Sequence, residues 1–161
     1  MKRDPAHGPA LAEPRLWRGV AKAVIIHLIS NKMPNSKSSV KYDLEERTAR
    51  FGENIIEFAK KLPRDDITKR IIPQLVGAGT AIGSNYCEAD CAESNKDFIH
   101  KMAIANKEAK EAKHFLRMSA KACPELAPEA RILWKEAHEL NLIFTTIVRN
   151  AKNTEKKKVM N

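Results

Sequence analysis

The sequence predicts an all-α protein, and more specifically an up-down-up-down antiparallel four-helix bundle. From Leu44 onward, apolar residues recur at alternating intervals of three and four positions, which is the spacing of one face of a helix. Four stretches of this kind are separated by short polar or proline-containing segments, and no alternating strand pattern of useful length occurs. Short connections between long amphipathic helices make consecutive helices antiparallel neighbours, so a bundle is the expected architecture.

The first helix is predicted to begin after Asp43 and to end at Pro63. Asp43 is a candidate N-cap, and Glu45 and Glu46 carry negative charge where the helix dipole favours it. The apolar seam has the period of a heptad repeat. Its members are Leu44, Thr48, Phe51, Ile55, Phe58 and Leu62.

The second helix is predicted to begin near Asp65 and Asp66. Its buried face consists of Ile67, Ile71, Leu75, Ala78, Ile82 and Ala89. Pro73 lies within this stretch and predicts either a kink or a late start, since proline lacks the backbone donor that a helix interior needs. The helix also carries Gly77, Gly79 and Gly83, each of which costs about 1 kcal/mol relative to alanine. Small residues of this kind allow close approach, either within one bundle or between subunits.

The third and fourth helices are predicted on either side of a turn that Pro124 and Pro128 bracket. Ser94 is the candidate N-cap of the third helix. The buried face of the third helix is Phe98, Met102, Ala105, Ala109, Ala112, Leu116 and Cys123. The buried face of the fourth helix is Ala130, Leu133, Ala137, Leu140, Phe144, Ile147 and Ala151.

The charge of the chain is concentrated at its two ends. The 161 residues include 29 Lys and Arg against 20 Asp and Glu, a net charge of +9. Residues 1–43 contribute +5, residues 44–150 contribute +1, and residues 151–161 contribute +3. We therefore expect an N-terminal extension over 1–41 that is flexible or partly helical, a bundle over 42–152, and a basic C-terminal tail over 153–161. A natural start at Met33 is an alternative explanation of the extension.

The composition favours a cytoplasmic protein with no membrane partner. No apolar run approaches the roughly 18–20 residues that span a bilayer. The apolar stretch from Val20 to Ile29 is interrupted by Lys22 and His27 and lacks a following cleavage site, which disfavours a signal peptide. Three cysteines, an odd number, fit a reducing compartment better than a disulfide scaffold.

No catalytic, metal or cofactor site emerges from the residue patterns. Cys87 and Cys91 lie four residues apart on the second helix, but two further ligands at zinc-site spacing are missing. His100 and His114 are separated by about 21 Å along a helix, too far to share a metal. No glycine-rich phosphate loop and no recognisable nucleophile context occur. We expect a non-enzymatic protein with no metal and no cofactor.

The third helix carries a row of basic residues opposite its buried face. At about 100° per residue, these residues and His114 fall within an arc of about 120°. They are Lys107, Lys110, Lys113, Arg117 and Lys121. A straight basic row can follow a phosphate backbone, which makes these residues candidates for nucleic-acid binding. An ordinary solvated face is favoured by the neighbouring Glu108 and Glu111, and by phenylalanines at predicted core positions, which leave no evident exposed platform for stacked bases.

Several sequence runs are distinctive in combination. They are GTAIGSNYCEA at 79–89, SNKDFIHKM at 94–102, ANKEA at 105–109, YDLEERT at 42–48 and Leu62-Pro63. Together they resemble the bacterial four-helix-bundle family encoded in 23S rRNA intervening sequences, and the resemblance covers residues from Tyr42 to about Lys152. The resemblance implies a compact bundle that assembles as a homopentamer and has no assigned catalytic activity. It also implies kinship with the accessory variability determinant of diversity-generating retroelements, a basic pentamer that contacts RNA and a reverse transcriptase.

Five residues of the second helix match the motif of that family. They are Gly79, Gly83, Asn85, Tyr86 and Glu88, and we interpret them as residues of an oligomer contact or of tight helix packing. Asn85 and Glu88 are also candidates for a buried polar network that fixes the register of the helices.

Two functional hypotheses follow from the sequence. The first is a non-enzymatic homo-oligomeric interaction or scaffold protein of the rRNA intervening-sequence family, whose partner is a further copy of itself, expected as a pentamer. The second is an RNA-binding accessory protein, associated with a retroelement or with rRNA, that uses the basic face of the third helix to contact RNA or a nucleic-acid-handling protein.

Overall fold

Four α-helices make up almost all of the part of the chain that the structure describes. The computed structural model describes residues 43–160, so the predicted extension over 1–41 lies outside it. Helix α1 spans Leu44–Lys61, α2 spans Thr68–Asp90, α3 spans Asn95–Ala122 and α4 spans Ala127–Met160. A 3-10 turn, Pro124–Leu126, joins α3 to α4. These elements, with no strand over residues 43–160, confirm the prediction of an all-helical chain with four helices.

The contacts between helices arrange them as an antiparallel bundle. Each helix packs mainly on its neighbours in sequence, and α4 closes the bundle by returning to α1. Along three of the neighbouring helix pairs, residue numbers rise on one helix while they fall on the other. The pairs that establish this are Thr48–Gly83 and Ile55–Gly79 for α1 and α2, Arg47–Glu136 and Lys61–Glu129 for α1 and α4, and Asn106–Thr145 and Lys113–His138 for α3 and α4.

The predicted apolar faces form one core at the bundle axis. The largest fully buried side chains include Phe51, Phe58 and Phe144, which come from α1 and α4. Helix α3 contributes smaller residues, with Ala105, Ala109 and Ala112 fully buried. Small side chains on one helix opposite large ones on its neighbours allow the helices to approach closely while the interior remains filled. Ile67 is an exception to the predicted faces, since it is 63% exposed.

Ile67 is exposed because α2 begins later than the acidic pair suggested. The Asp65 carboxylate accepts hydrogen bonds from the backbone N–H groups of Ile67 and Thr68, both at 2.8 Å, so Ile67 lies in the turn before the first helical residue. These hydrogen bonds, that from Thr68 above all, lower the pKa of Asp65 below its usual value. The helix nevertheless begins five residues before Pro73 and continues through it, so of the two alternatives predicted from this proline, a kink or a late start, the late start does not occur.

The predicted N-caps of α1 and α3 are confirmed. Asp43 Oδ1 accepts a hydrogen bond from the backbone N–H of Glu46 at 3.2 Å. Ser94 Oγ accepts one from the backbone N–H of Asp97 at 3.1 Å. Both caps satisfy donors that have no partner within the helix, and for this reason short polar residues mark helix starts.

Helix α4 continues past residue 152, where the sequence predicts the end of the bundle. It has 34 residues and a length of about 51 Å, against 28 residues and about 42 Å for α3. No glycine or proline follows Pro128, and alanine, lysine and glutamate are good helix formers. As a consequence, Lys152 and Lys156 lie on a helix.

Candidate functional site

Two glycines of the family-like motif pack against α1 of the same chain. A Cβ atom at Gly79 would lie 2.7 Å from Cγ2 of Ile55, and one at Gly83 would lie 3.6 Å from the backbone of Thr48. At Gly77, in contrast, an added Cβ would meet nothing within 4 Å. Gly79 is therefore required by the close approach of α1 and α2 inside the bundle.

The remaining motif residues do not form a shared network. The Asn85 side chain donates to the carbonyl of Ala81 in its own helix at 2.9 Å, whereas Glu88 is exposed and pairs with Lys101 of α3. Tyr86 is half-buried, and this burial raises its pKa to about 12. The buried polar network predicted for Asn85 and Glu88 is therefore wrong, because Glu88 points into solvent toward a surface lysine.

A polar cluster that fixes register lies instead between α3 and α4. Asn141 is buried and its Nδ2 donates to Oδ1 of Asn106. Asn106 Nδ2 donates to Thr145 Oγ1 at 3.1 Å, and Thr145 Oγ1 donates to the carbonyl of Asn141 at 2.8 Å. A one-residue slip of either helix would separate these groups and leave the Asn141 amide buried without partners, which is costly.

The basic row of α3 lies on the outside of the bundle, on the side that adjoins α4. Lys107, Lys110, Arg117 and Lys121 are exposed, and none of the four is in an ion pair among residues 43–160. Lys113 differs from them because it is half-buried and turned onto α4. Glu108 lies on the opposite side of the helix, since it follows Lys101 by two turns and Lys101 contacts α2.

Helix α4 extends this basic row with exposed cations of its own. Arg131, Arg149 and Lys152 are exposed and have no ion-pair partner within the described part of the chain. We refer to these residues together as the cationic face. Its members are Lys107, Lys110, Lys113, Arg117 and Lys121 of α3 and Arg131, Arg149 and Lys152 of α4.

Ion pairs divide the charges of the bundle between its two sides. Within residues 43–160, the cations in ion pairs belong to α1, α2 and the first turns of α3. They are Arg47, Arg50, Lys60, Lys61, Lys69 and Lys101. The acids of α4 that could neutralise the cationic face are turned away from it, since Glu136 and Glu139 bind Arg47, and Glu129 binds Lys61. A bundle with almost no net charge therefore presents a face whose cations are in no ion pair among the described residues, although Arg64 and Arg70 near the start of α2 are unpaired as well.

Arg47 is the residue that holds two of these acids on the far side of α4. Its Nε donates to Glu136 at 2.6 Å, and its Nη2 donates to Glu136 at 2.9 Å and to Glu139 at 2.7 Å. The forked contact with Glu136 raises the pKa of Arg47 above its already high usual value, so the guanidinium remains charged.

An aromatic cluster lies in the middle of the cationic face. The rings of Trp134 and His138 are stacked, with centroids 5.3 Å apart and planes inclined by 19°. Lys113 Nζ lies 3.1 Å from Nδ1 of His138 and 4.9 Å from the centre of the Trp134 ring. This cluster was not predicted from the sequence, where only the phenylalanines at core positions were weighed as platforms. The i, i+4 spacing of a tryptophan and a histidine was the signal that could have revealed it.

The thiols and acids show no arrangement suited to a metal or to nucleophilic chemistry. Within residues 43–160, no three His, Cys, Asp or Glu side chains are grouped as metal ligands. Burial raises the pKa of both Cys87 and Cys123, so neither thiol is activated as a thiolate. Over the same residues, no helix combines the length and the apolar character needed to cross a membrane.

Comparison with known proteins identifies one matching family and a similar solved structure. Residues 41–124, just over half of the chain, match the family model described as 23S rRNA-intervening sequence protein. A crystal structure of a protein with unknown function from the S23 ribosomal protein family of Bacteroides thetaiotaomicron is similar, with a TM-score of 0.60 and 27% sequence identity. This similarity covers 65% of the present chain and 94% of the other. No curated protein matches the chain significantly.

Proposed function

The chain belongs to the 23S rRNA-intervening sequence protein family, and from this premise we propose that it is a non-enzymatic protein that binds RNA through its cationic face. The observation that carries the proposal is the segregation of charge, because exposed cations without acidic partners are free to exchange counterions for phosphates. The RNA contacts implied by the resemblance to the retroelement accessory determinant support the same function.

The dimensions of the cationic face fit a nucleic-acid backbone. Lys107 and Lys121 are 14 residues apart, which corresponds to about 21 Å along α3. One strand of duplex DNA carries a phosphate every 3.4 Å or so along the axis, so a row of this length is long enough to contact several phosphates of one strand. Arg131 and Lys152 widen the face onto α4. Because these are contacts to phosphates, they bind and orient the backbone without reading a base sequence.

The proposed RNA binding predicts a strong dependence of affinity on salt. We expect the full chain to bind a single-stranded RNA of about 20 nucleotides with a log Kd that rises linearly with log salt concentration. Four exposed cations of α3 that each displace a counterion would give a slope of magnitude about 3, since each contact contributes roughly 0.7 on a single strand. The measurement is fluorescence anisotropy between about 50 and 300 mM KCl. Absence of binding at the lowest salt concentration would contradict the proposed function.

We also propose that the bundle self-associates, in the pentameric form that the family resemblance implies, and so presents several cationic faces at once. The specific observation in favour is the exposure of two large apolar residues on α4, Ile132 at 68% and Leu142 at 49%. Burial of such a side chain against a second copy would stabilise the assembly by about 1.5–3 kcal/mol, because its apolar surface is removed from water. Repetition of the face around an assembly would increase RNA avidity without any new contact.

The self-association predicts a defined change in mass when these two residues become polar. Light scattering at micromolar concentration should give a molar mass five times the 18.1 kDa of one chain. The double variant Ile132→Ser and Leu142→Ser should shift toward the monomer. Ile67→Ser is the matched control, because Ile67 is equally exposed but lies before α2. A monomeric wild-type chain would rule out the assembly.

A further inference from the structure

The aromatic cluster in the cationic face has a layered geometry. The His138 ring lies over one face of the Trp134 indole. Lys113 Nζ also lies over the indole and is 3.1 Å from Nδ1 of His138. A distance this short places Lys113 Nζ and the His138 ring on the same face of Trp134. Trp134 packs against the bundle core with its other parts. The indole therefore lies beneath His138 and the Lys113 ammonium, which are side by side on its outer face.

His138 carries a stacked ring on one side within the described residues. His138 is only half-buried, and over residues 43–160 no aromatic ring other than Trp134 stacks on it. The imidazole is held flat from below by the indole and from the side by the hydrogen bond with Lys113. An aromatic ring whose orientation is already fixed loses little entropy when a ligand stacks on it.

The hydrogen bond with Lys113 also determines which nitrogen of the imidazole is the acceptor. A lysine ammonium is only a donor, so Nδ1 of His138 is the acceptor and the ring proton lies on Nε2. With Nδ1 as acceptor, the ring offers a π-face for stacking and an N–H group at its edge. Lys110 and Arg117, each about one turn from Lys113 on α3, place positive charge on both sides for the adjoining phosphates.

We propose that His138, supported by Trp134 and Lys113, is a stacking platform for an unpaired base of the bound RNA. This inference rests on the proposed function, because the surrounding cations must first hold the phosphate chain. A duplex keeps its bases within its own stack, whereas a single strand can turn one base outward onto an aromatic surface. The platform therefore makes single-stranded or looped RNA the substrate class of the cationic face.

The test separates the contribution of bases from that of phosphates. The full chain is titrated with an oligoadenylate and with an abasic sugar-phosphate chain of the same length and charge. We expect the wild type to prefer oligoadenylate by about 5- to 150-fold, the contribution of one stacked base. In His138→Ala the preference should fall to about twofold or less, while the affinity for the abasic chain is unchanged. His138→Phe retains a flat ring and should retain the preference.

A second histidine of the same face provides the matched control. His114 is exposed and meets Phe115 edge to face, with planes inclined by 83°, so it has no parallel ring beneath it. His114→Ala should leave the preference for oligoadenylate intact. Equal binding of both probes by the wild type would overturn the stacking platform and leave the proposed function standing. Failure of the wild type to bind either probe would overturn both.

Discussion

Reversal of the charges at Lys110 and Arg117 is expected to lower the affinity of the full chain for single-stranded RNA at least about 100-fold, since charged contacts of this kind each contribute about 1.5–3 kcal/mol. Both side chains are exposed and lack ion-pair partners within the described residues, so no acid in that part of the chain competes with a phosphate for them. Glutamate at these positions removes two contacts and adds repulsion. The slope of log Kd against log salt should fall in magnitude by about 1.4.

The double variant Arg64→Glu and Arg70→Glu is the control for net charge. Arg64 and Arg70 are exposed cations without an ion-pair partner over residues 43–160, but they lie before and at the start of α2, outside the cationic face. Both double variants change the net charge by the same amount. We expect the control to change the RNA affinity less than about threefold, because charges outside the contact surface act only at long range and salt screens them. Equal losses in the two variants would show that RNA binds through overall charge or through the basic ends of the chain.

Replacement of Gly79 by alanine is expected to destabilise the protein by about 2 kcal/mol, although alanine is the better helix former. The new Cβ would lie 2.7–3.0 Å from three atoms of Ile55, which is fully buried and branched at Cβ, so it cannot rotate away. Helices α1 and α2 would have to separate at their closest approach. Thermal or urea unfolding of the full chain measures the loss.

Gly77→Ala provides the control in the same helix and should have the opposite sign. An added Cβ at Gly77 meets nothing within 4 Å, so the substitution should stabilise the chain by up to about 1 kcal/mol through helix propensity alone. Together, the two variants separate helix propensity from packing. A stabilising Gly79→Ala would contradict the tight packing of α1 on α2. A destabilising Gly77→Ala would indicate that another chain covers this position.

A double-mutant cycle with Ile55 tests the same contact directly. Ile55→Ala by itself creates a cavity and should cost about 2–5 kcal/mol. In that background, Gly79→Ala should cost less than it does in the wild type, because the methyl group enters the space that the isoleucine vacates. We expect a coupling energy of at least about 1 kcal/mol, and additive effects would show that the two residues do not compete for the same volume.

Much of the bundle could be predicted from local sequence rules. The intervals between apolar residues located all four helices, because a 3.6-residue period admits only one buried stripe. Asp43 and Ser94 predicted the starts of α1 and α3 correctly, since a cap depends on residues within one turn. The start of α2 was harder to predict. There, the Asp65 carboxylate accepts hydrogen bonds from the backbone of Ile67 and Thr68, and Ile67 lies in the turn outside the helix. Periodicity alone does not distinguish the last loop residue from the first helical one.

The sequence by itself determined that this chain forms helices, which faces of them are apolar, and which family it belongs to. Only the tertiary structure decided how the charges are distributed, because that depends on which acid each cation meets across helices. Arg47 draws Glu136 and Glu139 to one side of α4, and the opposite side retains its cations unpaired. The stack of Trp134 and His138 beside Lys113 was likewise decided by the register of α3 on α4. Periodicity is a property of one helix, whereas ion pairing and stacking between helices depend on the positions of two.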